Sequence, residues 1–246
     1  MIWLERNDVR WLQADMPGAT AAFTTRLGGV SAAPWDQLNL GVLTGDAEDS
    51  VRENRARMAA AIGIDADRVV IGRQVHGAEI AAHAAPQSPA PFSTPGYDPP
   101  EVDGHHTGES DLALLVFVAD CLPIALSGAD GVAMLHGGWR GLAGGIVECG
   151  VEAVGATDAR VGPGIGPCCY EVGDEVVAAF EPLGGDIATA RRLDLPEVAR
   201  RLLERAGVGR IEVSDLCTRC NPELFFSHRG QGPETGRQAG IVWRKP

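Results

Sequence analysis

The run LALLVFVA at residues 112–119 is the feature that most restricts how this chain can fold. It contains no polar position, so neither face of a strand built from it is suited to water. A strand of this kind is normally covered on both faces. The run therefore predicts a central strand, with other layers packed on each side of its sheet.

Shorter apolar runs bounded by turn residues predict further strands. They lie at 21–25, 69–75, 131–135, 159–164, 210–214 and 240–244.

Helices are predicted from their end signals. Ser50 and Glu53 form a capping box for a helix over 50–62, and Asp194 and Gly207 bound a helix over 195–206. Two further helices are predicted at 142–154 and 174–181. Strands and helices do not alternate strictly, which favours an α+β fold with helices outside a sheet core over a doubly wound fold.

The chain of 246 residues is long enough for one large domain or two small ones. The stretch 84–104 contains six prolines and predicts a long surface loop. Because strand-like runs lie close on both sides of it, we interpret it as a loop within one domain spanning 1–246.

The formal net charge of −12 argues against a long nucleic-acid backbone as a partner. Charged residues interrupt the apolar runs at the N-terminus, and no stretch is long enough to span a membrane. We therefore expect a cytoplasmic protein, a monomer or weak homodimer, whose six cysteines are reduced.

Three predicted strands run directly into a residue that can bind a metal. These residues are His76, Cys121 and His136. Two imidazoles and one thiolate suit Zn²⁺, and three protein ligands leave a fourth position for water or substrate. If the strands are neighbours, the ligands meet at one sheet edge and form a catalytic zinc site. The alternative is that all three side chains simply pack at strand ends.

The segment GGWRG at 137–141 follows the last of these residues. Its glycines allow close approach of a ligand to the backbone, a helix is expected to begin near Leu142, and Arg140 offers donors for phosphate or carboxylate. The alternative is a tight turn with Trp139 in the core and Arg140 on the surface.

The remaining cysteines and histidines carry weaker signals. Cys217 and Cys220 form a single C-x-x-C, which we interpret as packed or weakly reactive thiols because no second C-x-x-C accompanies it. His105 and His106 are expected to be solvent-exposed in a turn. No role is assigned to Cys168 and Cys169.

Six stretches together resemble the bacterial laccase-domain family, also called multicopper polyphenol oxidoreductase, over nearly the whole chain. Its members are described as purine nucleoside phosphorylases or as peptidoglycan-editing factors. The stretches are TTRLGGVSAAPWDQLNLG, RQVHG, ADCLPI, HGGWRGL, GPGIGPCCYEVG and DLCTRCNPELFFSHR…TGRQAGIVW.

This resemblance implies a mixed α/β domain with packed central sheets and outer helices. It implies zinc, with copper as the alternative, held by His76, Cys121 and His136. The implied reactions are phosphorolysis of adenosine, inosine, guanosine and methylthioadenosine, and deamination of adenosine. Purine nucleoside and phosphate would be the substrates.

Further substrate- or phosphate-binding candidates lie in the same stretches. They are Arg26, Arg73, Arg140, Arg229 and Asp120, the last also interpretable as a turn carboxylate. The chain departs from the family pattern at Gly137, at Cys168-Cys169, at His105-His106 and at His228. These departures leave the three ligands untouched but bear on substrate preference.

Four other functions remain open at this point. An amidase that removes a wrong amino acid from a muramic-acid precursor would use the same zinc. A cysteine hydrolase would use Cys121 as nucleophile, and a binding module would use zinc for stability alone. A copper laccase is disfavoured, because six histidines and no His-x-His pair cannot build a multicopper centre.

Overall fold

Two mixed β-sheets packed face to face form the centre of the protein in this computed structural model, which describes residues 1–96 and 98–245. Strands are numbered along the chain. The first sheet contains, in spatial order, β1 (Ile2–Arg6), β2 (Val9–Met16), β3 (Ala19–Thr24), β14 (Gln238–Arg244), β7 (Ala113–Val118) and β4 (Val69–Val70). The second contains β13 (Arg210–Val213), β10 (Ala156–Val161), β8 (Leu122–Gly128), β9 (Gly131–Gly137), β6 (Gly104–Thr107) and β5 (Ile80–Ala82). A short separate pair joins β11 (Ala188–Thr189) and β12 (Arg192–Leu193).

Helices lie outside the two sheets. They are α1 (Glu48–Ile62), α2 (Trp139–Ala143), α3 (Ile146–Val154), α4 (Asp174–Phe180), α5 (Leu195–Arg205) and α6 (His228–Gln231). One apolar cluster lies between α1 and the first sheet, a second between the sheets, and a third between the second sheet and helices that include α3 and α5. None of the described helices is both long and apolar enough to cross a bilayer.

Strand β7 confirms the prediction from its sequence. Leu114 and Val116 belong to the cluster between the sheets, whereas Ala113 and Leu115 belong to the cluster beneath α1. Both faces are therefore buried, and β14 and β4 pair with its two edges. The predicted α+β fold, with central packed sheets and outer helices, is confirmed.

The strand predicted over 69–75 is wrong beyond Val70. The backbone N–H and C=O of Ile71 bond to the side chain of Gln87, at 3.0 and 2.8 Å, instead of to a neighbouring strand. A glutamine amide can replace one residue of a ladder in this way, because it carries both a donor and an acceptor. The other predicted strands are present with shifted ends, and β1, β2, β5, β6, β8, β11 and β12 were not predicted.

The helix predictions hold with two corrections. The first helix begins at Glu48 with Ala47 as its cap, so the capping box at Ser50 and Glu53 is wrong, and Ser50 lies inside the helix. The segment 142–154 is split into α2 and α3 because Gly145 adopts a left-handed φ of 91°. The helix at Leu195 is confirmed, and the Asp194 side chain accepts a hydrogen bond from the Glu197 N–H.

The loop predicted over 84–104 is present, apart from Gly104, which begins β6, and Tyr97, which lies outside the described residues. The expected exposure of His105 and His106 is wrong, because both residues are in β6. His105 is fully buried, and its Nδ1 lies 3.2 Å from His83 Nε2. The glycine-flanked stretch that indicated a turn instead forms β6, a strand of the second sheet.

We expect Gly240→Ala to destabilise the fold by about 1–3 kcal/mol, the usual range for overpacking. A Cβ at this position in β14 would lie 2.3 Å from Pro123 Cβ and 3.3 Å from Met134 Sδ, both in the opposite sheet. Urea unfolding measures the change. Gly185→Ala is the matched control because nothing lies within 4 Å of the added atom. Equal stability of the two variants would contradict close contact between the sheets at this point.

His105 should make the protein less stable in acid. Burial is the main cause that lowers the pKa of His105 to about 3; His83 and His106 act in the same direction, and Asp103 opposes them. Below the unfolded-state pKa near 6.5, His105 is protonated in the unfolded chain but stays neutral in the folded chain. The free energy of unfolding therefore decreases by up to about 1.4 kcal/mol for each unit by which the pH is lowered. Urea unfolding between pH 7 and 4 should show a shallower loss for His105→Gln. Parallel curves for the two proteins would contradict this assignment.

Candidate metal centre and cavity

Cys121 lies where the chain passes from the first sheet to the second. Strand β7 ends at Val118, and β8 begins at Leu122 in the other sheet. The turn between them requires an unusual φ of 101° at Asp120. In the antiparallel register of β8 and β9, Leu122 pairs with Gly137 and Pro123 with His136. This register brings the Cys121 thiol beside the His136 imidazole.

His76 is brought to the same place by the Gln74 side chain, which forms hydrogen bonds to β7 as a neighbouring strand would. The Gln74 amide accepts from the Phe117 N–H and donates to the Phe117 C=O, each at 2.8 Å. This pairing holds the segment after β4 alongside the end of β7. His76 then adopts a left-handed φ of 61°, a strained conformation for a side chain of this type.

The three predicted ligands are brought together. One donor atom from each of His76, Cys121 and His136 lies within 4.8 Å of the other two. Gly138 leaves the space beside them open, because a Cβ there would lie 3.2 Å from both Cys121 Sγ and His76 Cδ2. The expectation of three neighbouring strands at one sheet edge is wrong in detail. The ligands meet where the two sheets are joined, with only His136 inside a strand.

Asp103 completes the centre and was missed by the sequence analysis. Its buried carboxylate accepts from His136 Nδ1 at 2.7 Å and from the backbone N–H groups of residues 75–77 at 2.7–3.0 Å. With Nδ1 occupied, His136 has Nε2 available as a metal-binding atom, an arrangement typical of metal-binding histidines. The only sequence signal was an aspartate placed directly before a strand.

The charges of the centre favour a thiolate. Burial raises the pKa of Cys121, but the charge and hydrogen bond of His136 and the hydrogen bond from His76 outweigh it and lower the pKa. Burial lowers the pKa of His136, but Cys121 and Asp103 outweigh burial and raise it. Both shifts favour a thiolate at Cys121 paired with a protonated His136. A divalent metal needs the same thiolate and takes the place of the imidazolium proton.

The centre opens into a cavity of about 560 Å³, within the range of small-molecule sites. Four of the predicted substrate-binding candidates line it, namely Arg73, Arg140, Arg229 and Asp120, and their role in binding stays a prediction. Trp139 and Tyr170 add aromatic surface to the same cavity.

The predicted arginines differ in what they contact. Arg140 lies over the Trp139 ring at 4.5 Å, and Arg229 over the Tyr170 ring at 5.1 Å. Arg73 faces Asp98 at 3.5 Å at the cavity wall. Arg26 is not among the described residues that line the cavity.

Arg26 is instead a buried structural residue. Its guanidinium donates to the carbonyls of Asp36 and Pro222 and lies 4.6 Å from the Phe226 ring centroid. These contacts join the segment after β3 to the chain before α6. Arg26 belongs to one of the six stretches that resemble the family, and its contacts there are packing contacts.

Asp120 has both carboxylate oxygens occupied. Oδ1 accepts from the Thr218 hydroxyl at 2.6 Å, and Oδ2 accepts from the backbone N–H of Arg229 at 2.7 Å. This carboxylate thus fixes two other segments of the cavity wall next to Cys121. Asp120 is thus a turn residue that also positions its neighbours, and its role in substrate binding stays a prediction.

Arg237 also lines the cavity and was not identified from the sequence. Its backbone N–H donates to Asn39 Oδ1 at 2.9 Å, and the side chain is held by the carbonyls of Thr235 and Gly236. Burial lowers its pKa, while the charges of Cys121 and Asp120 act to raise it. A cation is therefore held close to the thiolate. Its position directly before the apolar run of β14 was the available signal.

Comparison with known proteins agrees over the whole fold. A family model described as multi-copper polyphenol oxidoreductase laccase matches residues 20–245. The chain is 40% identical to purine nucleoside phosphorylase SCO2081 of Streptomyces coelicolor, over 92% of this chain and 96% of that one. It is 37% identical to purine nucleoside phosphorylase YlmD of Geobacillus stearothermophilus, over 96% and 94%. The crystal structure of Bacillus licheniformis hypothetical protein YfiH superposes with a TM-score of 0.89 at 32% identity, covering 99% of each chain.

We expect Asp103→Asn to weaken zinc binding by about 10–100-fold, the usual effect of removing the partner of a ligating histidine. The amide would leave the donors of residues 75–77 and His136 with one acceptor oxygen fewer. Competition with a chromophoric chelator measures the affinity. Asp130→Asn, in the exposed turn at the far end of β9, should bind zinc as the unmodified protein does. Equal affinity in both variants would show that Asp103 does not support the ligand.

Proposed function

The chain belongs to the multi-copper polyphenol oxidoreductase laccase family, and on this basis we propose that it is a zinc-dependent purine nucleoside phosphorylase. The proposed substrates are adenosine, inosine, guanosine and methylthioadenosine, with deamination of adenosine as a further activity. One observation carries the proposal: a single cavity joins the His76–Cys121–His136 group to arginines and aromatic rings. Relatives that share most of the chain bear the name purine nucleoside phosphorylase.

The donor set supports zinc as the metal. Two imidazoles and one thiolate, with Asp103 behind His136, match a site that keeps one coordination position open. When bound, zinc would supply a Lewis acid and lower the pKa of a water molecule. Copper also accepts such ligands. The three-residue group cannot by itself hold the several coppers that the family description names.

Phosphate would be bound by the cationic wall of the cavity. Arg140, Arg229 and Arg237 line it, and guanidinium groups bind phosphate oxygens through paired N–H donors. Their combined charge would place a phosphate oxygen for attack on the ribose carbon that bears the purine.

The purine would lie against the aromatic surface. Trp139 and Tyr170 are both at the cavity, and each is stacked by an arginine that limits its movement. Burial raises the pKa of Tyr170 to about 12, so the phenol keeps its proton at neutral pH and can donate a hydrogen bond. Phosphorolysis then breaks the bond between ribose and base, forms ribose 1-phosphate, and leaves the purine to take up a proton.

The test is the turnover of adenosine with and without phosphate. We expect adenine and ribose 1-phosphate only when phosphate is present, and inosine or hypoxanthine if the chain also deaminates. Cys121→Ala should lose metal and lower turnover by at least about 100-fold, because it removes a ligand and its negative charge. Chromatography of the products and metal analysis of the same samples measure both effects.

Cys149→Ala is the matched control, since this exposed cysteine lies on α3 and is not part of the His76–Cys121–His136 group. It should keep full activity and metal. Full turnover by Cys121→Ala would overturn the proposed role of the centre. A different outcome would assign the amidase function instead of the phosphorylase function. In that case the metal-loaded protein would turn over none of the four nucleosides but would release serine from a muramyl-serine substrate.

A further inference from the structure

Four cysteines that the proposed function does not use lie together at the edge of the protein, with Cys168 and Cys220 exposed and Cys217 buried. Cys168, Cys169, Cys217 and Cys220 each place a sulfur within 4.8 Å of the other three. The sequence contains a single C-x-x-C, at 217–220, and the fold supplies the second pair from a turn about fifty residues earlier. We refer to these four residues as the cysteine cluster.

The spacing of the sulfurs fits one metal ion. The Cys220 sulfur lies 3.4 Å from the sulfurs of both Cys168 and Cys169. Four sulfurs bound to zinc at about 2.3 Å occupy the corners of a tetrahedron with edges of about 3.8 Å. The two separations of 3.4 Å are slightly shorter than this edge, and the remaining sulfurs lie within 4.8 Å of one another, so small side-chain rotations suffice to close the site.

The backbone holds the two pairs in place independently of any metal. Gly164 and Cys217 form an isolated parallel bridge, and the Gly166 N–H donates to Cys217 Sγ at 3.3 Å. The N–H groups of Cys169 and Tyr170 both donate to the Gly166 carbonyl at 3.0 Å, which closes the turn that carries the first pair. The cluster is thus built by two ordered turns.

Nearby cations match the charge that bound thiolates would carry. Four thiolates around a divalent ion leave a net charge of −2. Arg192 donates to the Cys168 carbonyl at 2.6 Å, and Arg219 to the Cys169 carbonyl at 3.5 Å. Both guanidinium groups are therefore beside the cluster.

We propose that the cysteine cluster is a second, structural zinc site that ties the 166–170 turn to the 217–220 turn. All four coordination positions would be filled by protein, which is the pattern of structural zinc and differs from the open centre at Cys121. Both turns contribute to the cavity wall: Tyr170 follows Cys169 directly, and Thr218 holds Asp120. The site would stabilise that wall without contacting substrate, so the proposal does not depend on the proposed function.

The test counts metal in the full-length protein after zinc loading and gel filtration. We expect two zinc ions per chain in the unmodified protein, one for each group of potential ligands. Cys121→Ser should keep one, and the double variant Cys168→Ser/Cys220→Ser should also keep one. The triple variant should keep none. Cys149→Ser should keep both.

Cobalt loading provides a second measurement that does not need the double variant to fold. In Cys121→Ser loaded with Co²⁺, the remaining site would show an intense thiolate-to-cobalt absorption band, because four thiolates bind one ion. An absent band, or equal zinc content in the unmodified protein and the double variant, would overturn the proposal. So would a disulfide between Cys168 and Cys220 in zinc-loaded protein, detected by mass after alkylation.

Discussion

The hydrogen bonds to the buried carboxylate of Asp103 are the interactions on which the candidate metal centre depends. A buried charge is stable only when hydrogen-bond donors surround it, and here the donors come from residues 75–77 and from His136. The need to satisfy this carboxylate fixes the position of two of the three ligands at once. It also explains how His76 is held in a left-handed conformation without a strand to support it.

The arrangement of the sheets supplies the third ligand. The chain leaves the first sheet at Val118 and enters the second at Leu122, so Cys121 lies on the connection between them. Apolar clusters on both faces of each sheet leave the connection little freedom to move. The centre therefore combines a rigid scaffold with strained backbone at Asp120, a combination common at functional sites.

The sequence identified the parts of the fold that depend on hydrophobic pattern. Strand β7 and helix α5 follow from apolar runs and end signals, and the proximity of the three candidate ligands agrees with the prediction from residue chemistry. The errors arise where a side chain takes over a backbone role, as Gln87 does at Ile71. Asp103 and Arg237 were missed because their function depends on partners far away in sequence. His105 was misplaced because flanking glycines are typical of turns, although in β6 one of them allows close packing: a Cβ at Gly104 would lie 2.6 Å from Ile80 Cγ2.

Strand β14 has a consequence for how the protein is made. It lies between β3 and β7, and its Ala239 N–H bonds to Thr24, 215 positions earlier. At about 5–20 residues per second, the ribosome takes roughly 10 s to advance from β7 to β14. During that interval β3 and β7 each present an edge that has no partner, and such edges attract other chains. The first sheet can therefore close only after residues 238–244 have emerged, and until then its two parts are open to pairing with other chains.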